Sequence, residues 1–151
     1  VAGMRGRGSI IGVHVCRGNW STQEEILLRG PYEPLMPYLR QLDVDQLVLE
    51  YATPRAGELT ALASLDGQQV GLGVVNPRTP EVEGEEAICA RVREAMAYVA
   101  PERLFLNPDC GFATFAQRPM NSVETACRKL QAMVGAARRL RAEVGAPAPR
   151  P

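Results

Sequence analysis

Four short apolar runs, separated by polar or helix-patterned stretches, constrain this chain more than any other feature: "SIIGVHVC" (9–16), "QLVLEY" (46–51), "QQVGLGVVN" (68–76) and "RLFLN" (103–107). Each is apolar almost throughout and too short for a typical buried helix, which is the pattern of strands covered on both faces. Residues 17–34 between the first two runs carry Gly18, Gly30, Pro31 and Pro34 and form a long loop, of a length usually kept for function. Helices are predicted over 35–42, over "GELTALASL" (57–65), and where Ile88, Val92, Ala95 and Val99 recur at helical spacing. Asn121 or Ser122 is the predicted N-cap of a last helix whose buried stripe is Ala126, Leu130, Met133, Ala137, Leu140 and Val144. Strand and helix therefore alternate as four βα units. That order predicts an α/β fold with a parallel sheet and helices packed outside it.

A chain of 151 residues with 46% hydrophobic content suits one domain with a substantial core. Seventeen basic and seventeen acidic residues cancel, so no net field draws it to nucleic acid or to an anionic membrane. No apolar stretch approaches the roughly 20 residues of a membrane span, and "VAGMRGRGS" lacks the apolar segment of a signal peptide, so the expected location is cytoplasmic. The four cysteines, at 16, 89, 110 and 127, form no CxxC pair and are expected to stay reduced. Residues 1–8 are expected to be a flexible leader, 9–144 the folded unit and 145–151 a disordered tail.

Potential metal ligands stand at or just past three of the strand ends. His14 and Cys16 are two apart on a strand and share a face. Alone, such a pair more often means packing and a hydrogen-bonded imidazole. Glu50 closes the apolar stretch "LVL", where a carboxylate needs a cation or hydrogen-bond donors; a salt bridge to Arg55 is its ordinary explanation. Cys110 lies in the turn-rich "NPDCG", where packing does not call for a thiol, although a loop cysteine without a role is the plain alternative. Cys89 and Cys127 fall inside predicted helices and receive no site role. An imidazole, two thiolates and a carboxylate suit tetrahedral zinc better than magnesium or calcium.

The segments "HVCRGN", "LEYATPRAGE", "GLGVVNPRTPEVE" and "NPDCGFATFAQRP" together resemble the catalytic C-terminal barrel of cobalamin-independent methionine synthases, above all their short single-barrel relatives, over residues 9–141. The resemblance implies the second half of a (β/α)8 TIM-type barrel, with zinc held by His14, Cys16, Glu50 and Cys110. It implies methyl transfer from a methylated tetrahydropteroyl-polyglutamate to the thiol of homocysteine, with Glu50 as the ligand that yields to substrate sulfur. Arg17 and Arg55 are candidates to bind a substrate carboxylate or sulfonate through paired hydrogen bonds. Asn76 and Asp109 are weaker candidates, for lining the mouth or contacting a ligand from behind.

Two segments depart from the family pattern. Where methionine synthases carry Asp-Ile-His-Ser, with a histidine proposed to protonate the folate leaving group, this chain has "NPRTPE", and His14 is its sole histidine. The "CRGN" loop is similar to those of zinc alkyltransferases acting on other thiols. A closed barrel takes about 250 residues, so this chain is expected to supply the second half without the first. The expectation is a partial barrel completed by the missing half or by a second copy of the chain; a non-catalytic zinc-binding subunit is the rival of a different class.

Overall fold

The computed structural model describes residues 8–146. Four parallel strands, β1 (Gly12–Val15), β2 (Gln46–Leu49), β3 (Gln69–Val75) and β4 (Leu104–Pro108), form one sheet in sequential order. In-register pairing runs from His14 to Val48 to Gly71 to Phe105, with an irregularity at Gly73 and Val75 where β3 meets the end of β4. Sequential parallel order with crossovers outside the sheet is the arrangement that right-handed βαβ units impose. It brings all four C-terminal strand ends to one rim. The expected leader and tail, apart from Gly8, Gly145 and Ala146, lie outside the described residues.

The strands are less uniformly buried than their composition implies. Leu47, Leu49, Val70 and Leu72 of the two inner strands are almost completely covered, each worth about 1.5–3 kcal/mol of transfer energy. At the outer strands, Ile10 just before β1 and Phe105 on β4 are exposed, because β1 and β4 each have one unpaired edge.

The connections vary in kind. A single turn of helix, α1 (Met36–Leu39), precedes β2, and "GELTALASL" forms a 3-10 helix (Leu59–Ser64) rather than an α-helix. Its buried Leu59 and Leu62 are three apart and eclipse on the tighter helix, seating both on the core. Helix α2 (Glu85–Ala95) follows the predicted periodicity, with Ile88, Val92 and Ala95 buried and Glu85 and Glu86 at its positive end.

Helix α3 (Val123–Glu143) starts at Ser122, whose hydroxyl accepts a hydrogen bond from Thr125 N–H. Its buried positions are Lys129, Ala136 and Leu140, whereas Leu130 and Val144 of the predicted stripe are exposed. Leu140 of that stripe is buried and Met133 packs against the core, so the buried face follows the hydrophobic pattern in part and adds Lys129 to it. Lys129 can take an inward position because its ammonium is satisfied there by Glu83 Oε2 at 3.0 Å and the Glu81 carbonyl.

Candidate metal centre

At the C-terminal rim, Cys16 lies one residue past β1, Glu50 one past β2 and Cys110 two past β4, while His14 is inside β1. The ligand atoms of His14, Cys16, Glu50 and Cys110 all lie within 4.8 Å of one another. Cys110 Sγ is 3.3 Å from His14 Nε2, 3.3 Å from Cys16 Sγ and 3.1 Å from Glu50 Oε1. In a tetrahedral site with metal–sulfur bonds of about 2.3 Å, two sulfurs stand about 3.8 Å apart and sulfur and nitrogen about 3.5 Å. The three donor pairs at Cys110 need open by only a few tenths of an ångström to reach such a spacing.

Each donor is aimed by the backbone around it. His14 Nδ1 donates to the Val48 carbonyl at 3.1 Å, which puts the ring lone pair on Nε2, the nitrogen facing the thiols. Gly18 N–H donates to Cys16 Sγ at 3.2 Å and fixes its direction. That turn requires glycine: φ is +104° and a Cβ would lie 2.2 Å from the Trp20 ring. Burial, with Glu50 and Cys16 alongside, drives the Cys110 thiol far above its ordinary range. In this arrangement Cys110 Sγ donates to Glu50 Oε1, and a donor set of one imidazole, two cysteine sulfurs and one carboxylate fits zinc.

Behind the donors lies a network of buried charges. Glu50 Oε2 accepts from Arg55 Nη2 at 3.0 Å and from Arg17 N–H at 3.2 Å. Arg55 Nε meets Glu24 Oε2 at 3.3 Å, and the other Glu24 oxygen takes Arg78 Nε at 2.6 Å. Arg78 Nη2 reaches Asp109 Oδ2 at 3.3 Å. Asp109 Oδ1 accepts from Tyr51 N–H and Ala52 N–H, tying the loop after β2 to the residue before Cys110. Glu24, Glu50 and Asp109 are thus paired with the guanidinium groups of Arg55 and Arg78.

The model of the family described as "Cobalamin-independent synthase, Catalytic domain" matches residues 10–139. The chain belongs to this family. It is 36% identical over 107 residues to a methionine synthase of Thermococcus kodakarensis, covering 71% of this chain and 28% of that protein. A 5-methyltetrahydropteroyltriglutamate–homocysteine methyltransferase of Herpetosiphon aurantiacus is 33% identical over 105 residues, 70% of this chain and 13% of its own length. Among solved structures, a B12-independent methionine synthase from Shewanella in complex with selenomethionine superposes with a TM-score of 0.78 at 23% identity, over 93% of this chain and 41% of that one. The sheet and helices are accordingly part of a TIM-type barrel, and the chain spans about a quarter of the archaeal relatives' length.

In this family member the residues expected to bind substrate are turned inward. Arg17 is buried, stacks 3.6 Å above the Tyr32 ring and donates to the Gly30 carbonyl. The Arg55 side chain is 4% exposed and committed to Glu50 and Glu24. Arg55 satisfies buried acceptors of its own fold, whereas Arg17 Nη1 is buried without a hydrogen-bond partner. Asn76 keeps a partly open position, its side chain donating to Glu24 and accepting from Arg78 N–H. Asp109 lines no mouth: it is fully buried, and desolvation pushes its carboxyl up to about 6. The ordinary explanation of Glu50, a salt bridge to Arg55, also holds, since one carboxylate oxygen serves the bridge and the other faces the thiol.

Glu24, Tyr32 and Arg78 were not singled out by the sequence. Tyr32 hydroxyl donates to the Val15 carbonyl and accepts from Glu50 N–H, joining the ends of β1 and β2; burial raises it to about 12, so it stays neutral. Arg78 follows the end of β3, where the strand-end rule that picked out Glu50 applies equally. Glu24 lies in the loop flagged by its length.

Proposed function

We propose that residues 9–144 carry the zinc centre and half of the barrel of a methyltransferase that moves a methyl group from methyl-tetrahydropteroyl-polyglutamate to the thiol of homocysteine. The four-donor cluster at the strand ends supports this reading, together with the family membership. In it, His14, Cys16 and Cys110 hold the ion permanently and Glu50 is the ligand exchanged for substrate sulfur. Bound zinc would supply Lewis acidity that keeps a thiol ionised at neutral pH. The chain's own residues orient the donors: Val48 carbonyl sets the imidazole, Gly18 N–H steadies Cys16, and Asp109 holds the backbone after Glu50.

His14 is the sole histidine and is committed to the cluster, so a proton for an amine leaving group comes from another acid. That observation favours, as a second reading, alkyl transfer to another thiol or from another donor. Assaying homocysteine and alternative thiols with a methyl-folate donor separates the two. The open edges of β1 and β4 are proposed to be closed by further strands, from a longer chain or a second copy. Cys16 and Cys110 sulfurs 3.3 Å apart would oxidise readily, which goes with a reducing, cytoplasmic setting.

Metal analysis of the purified chain tests the proposal. About one zinc per chain is expected, lost in Cys110→Ser. Full zinc retention by that variant contradicts the site.

A further inference from the structure

We infer that Arg55 is a positioning residue for ligand exchange, holding Glu50 half-detached so that a thiol can take its place; this rests on the zinc reading above. The duties of the Glu50 oxygens are divided. Oε1 faces the donor cluster at 3.1 Å from Cys110 Sγ, while Oε2 is drawn away by Arg55 Nη2 at 3.0 Å and Arg17 N–H at 3.2 Å. A carboxylate so held offers one oxygen to an ion and cannot close on it with two.

Arg55 cannot simply follow Glu50 if it moves. Its Nη1 donates to the Arg17 and Leu28 carbonyls, its Nη2 also to the Gly18 carbonyl, and its Nε pairs with Glu24 Oε2. The guanidinium is thus anchored to the 17–28 loop before any substrate arrives. Glu50 is 1% exposed, so a displaced carboxylate without a partner would be a bare buried charge. With Arg55 already in contact, the carboxylate leaves one cation for another. The exchange then balances: the incoming thiol gives its proton to solvent, its sulfur replaces Oε1, and Glu50 remains an anion paired with Arg55.

Two thiols and three variants test this. Zinc affinity of the full chain is measured by chelator competition, and thiol affinity from the absorption of the cobalt(II)-loaded protein with homocysteine and with 2-mercaptoethanol, which has no carboxylate. Arg55→Gln is expected to bind zinc at least as tightly as wild type and both thiols at least about tenfold more weakly, as for loss of one hydrogen bond to a charged group. Arg55→Lys should restore part of the thiol affinity. Glu24→Gln, which removes an anchor of Arg55 but leaves Glu50 paired, should shift both thiols in the same direction by less, and it provides the readout if Arg55→Gln does not fold. Weakening confined to homocysteine would overturn the inference in favour of carboxylate binding by Arg55. Unchanged thiol affinity in the folded variants would overturn it outright, as would equal loss of zinc and thiol binding. Failure of wild type to bind either metal would instead overturn the zinc reading on which it rests.

Discussion

Replacing Gly73 by alanine should damage both the fold and the metal centre, although the residue touches no metal donor. A Cβ built there lies 2.2 Å from Asp109 Oδ1, 2.9 Å from the Leu49 carbonyl oxygen and 3.0 Å from Tyr51 N. Two of these obstacles are backbone on either side of Glu50, and the third is a fully buried carboxylate that accepts hydrogen bonds from Tyr51 and Ala52 N–H. The methyl therefore fits only if Asp109 swings off those donors or β2 and β3 splay at their ends. Overpacking of this kind costs about 1–3 kcal/mol, and disrupting hydrogen bonds to a charged group costs about 1.5–3 kcal/mol more. Alanine's advantage in backbone entropy, about 0.5–1 kcal/mol, does not offset that. A net loss of about 3–5 kcal/mol is expected, a large part of the 5–15 kcal/mol typical of a domain. Urea unfolding measures it, and chelator competition should show weakened zinc binding because the Glu50 backbone is displaced.

Gly71→Ala is the control. Its nearest neighbours are the Asn107 Oδ1 atom at 2.7 Å and a Val48 methyl at 3.0 Å, both on side chains that can rotate. It should cost about 1–2 kcal/mol and weaken zinc binding less than Gly73→Ala does. Gly73→Ala with wild-type stability and zinc affinity, or Gly71→Ala proving the more damaging, would refute the reasoning.

Arg78→Met leaves the buried Asp109 carboxylate without its guanidinium and should cost about 3–5 kcal/mol in urea unfolding; adding Asp109→Asn should recover part of it, because the amide oxygen still accepts from Tyr51 and Ala52 N–H. Between α2 and α3, hydrogen bonds from Arg93 hold the Glu86 and Glu143 carboxyls below their ordinary 4.5. A depressed carboxylate stabilises the fold above its unfolded value and loses that contribution as pH falls, so low-salt melting temperature should drop below about pH 4.5 and Arg93→Gln should flatten the fall. Salt should weaken this effect, since both carboxylates are exposed.

The sequence exposed the parts of the site that depend on short-range geometry. His14 and Cys16 share a face because strand side chains repeat every two residues, and Glu50 and Cys110 stand out as polar groups where apolar runs stop. It did not reveal that Arg55 and the donor cluster share Glu50, since the two readings look like rivals until the carboxylate's two oxygens are seen pointing to different partners. The inward position of Lys129 on α3 was hidden for a similar reason. Hydropathy alone puts Lys129 outside, and only the acceptors supplied by the loop before α2 allow it inside.

By itself, then, the sequence determined the alternation of strands and helices, the parallel sheet and the residue types able to hold zinc, because all of these follow from periodicity and from donor chemistry. Tertiary structure alone decided that Glu24, Arg78 and Asp109 join three loops behind the metal donors, and that Arg17 and Arg55 face inward. Those pairings join residues up to 58 positions apart. They exist only because the sheet brings its strand ends to one rim, where buried charges must find one another.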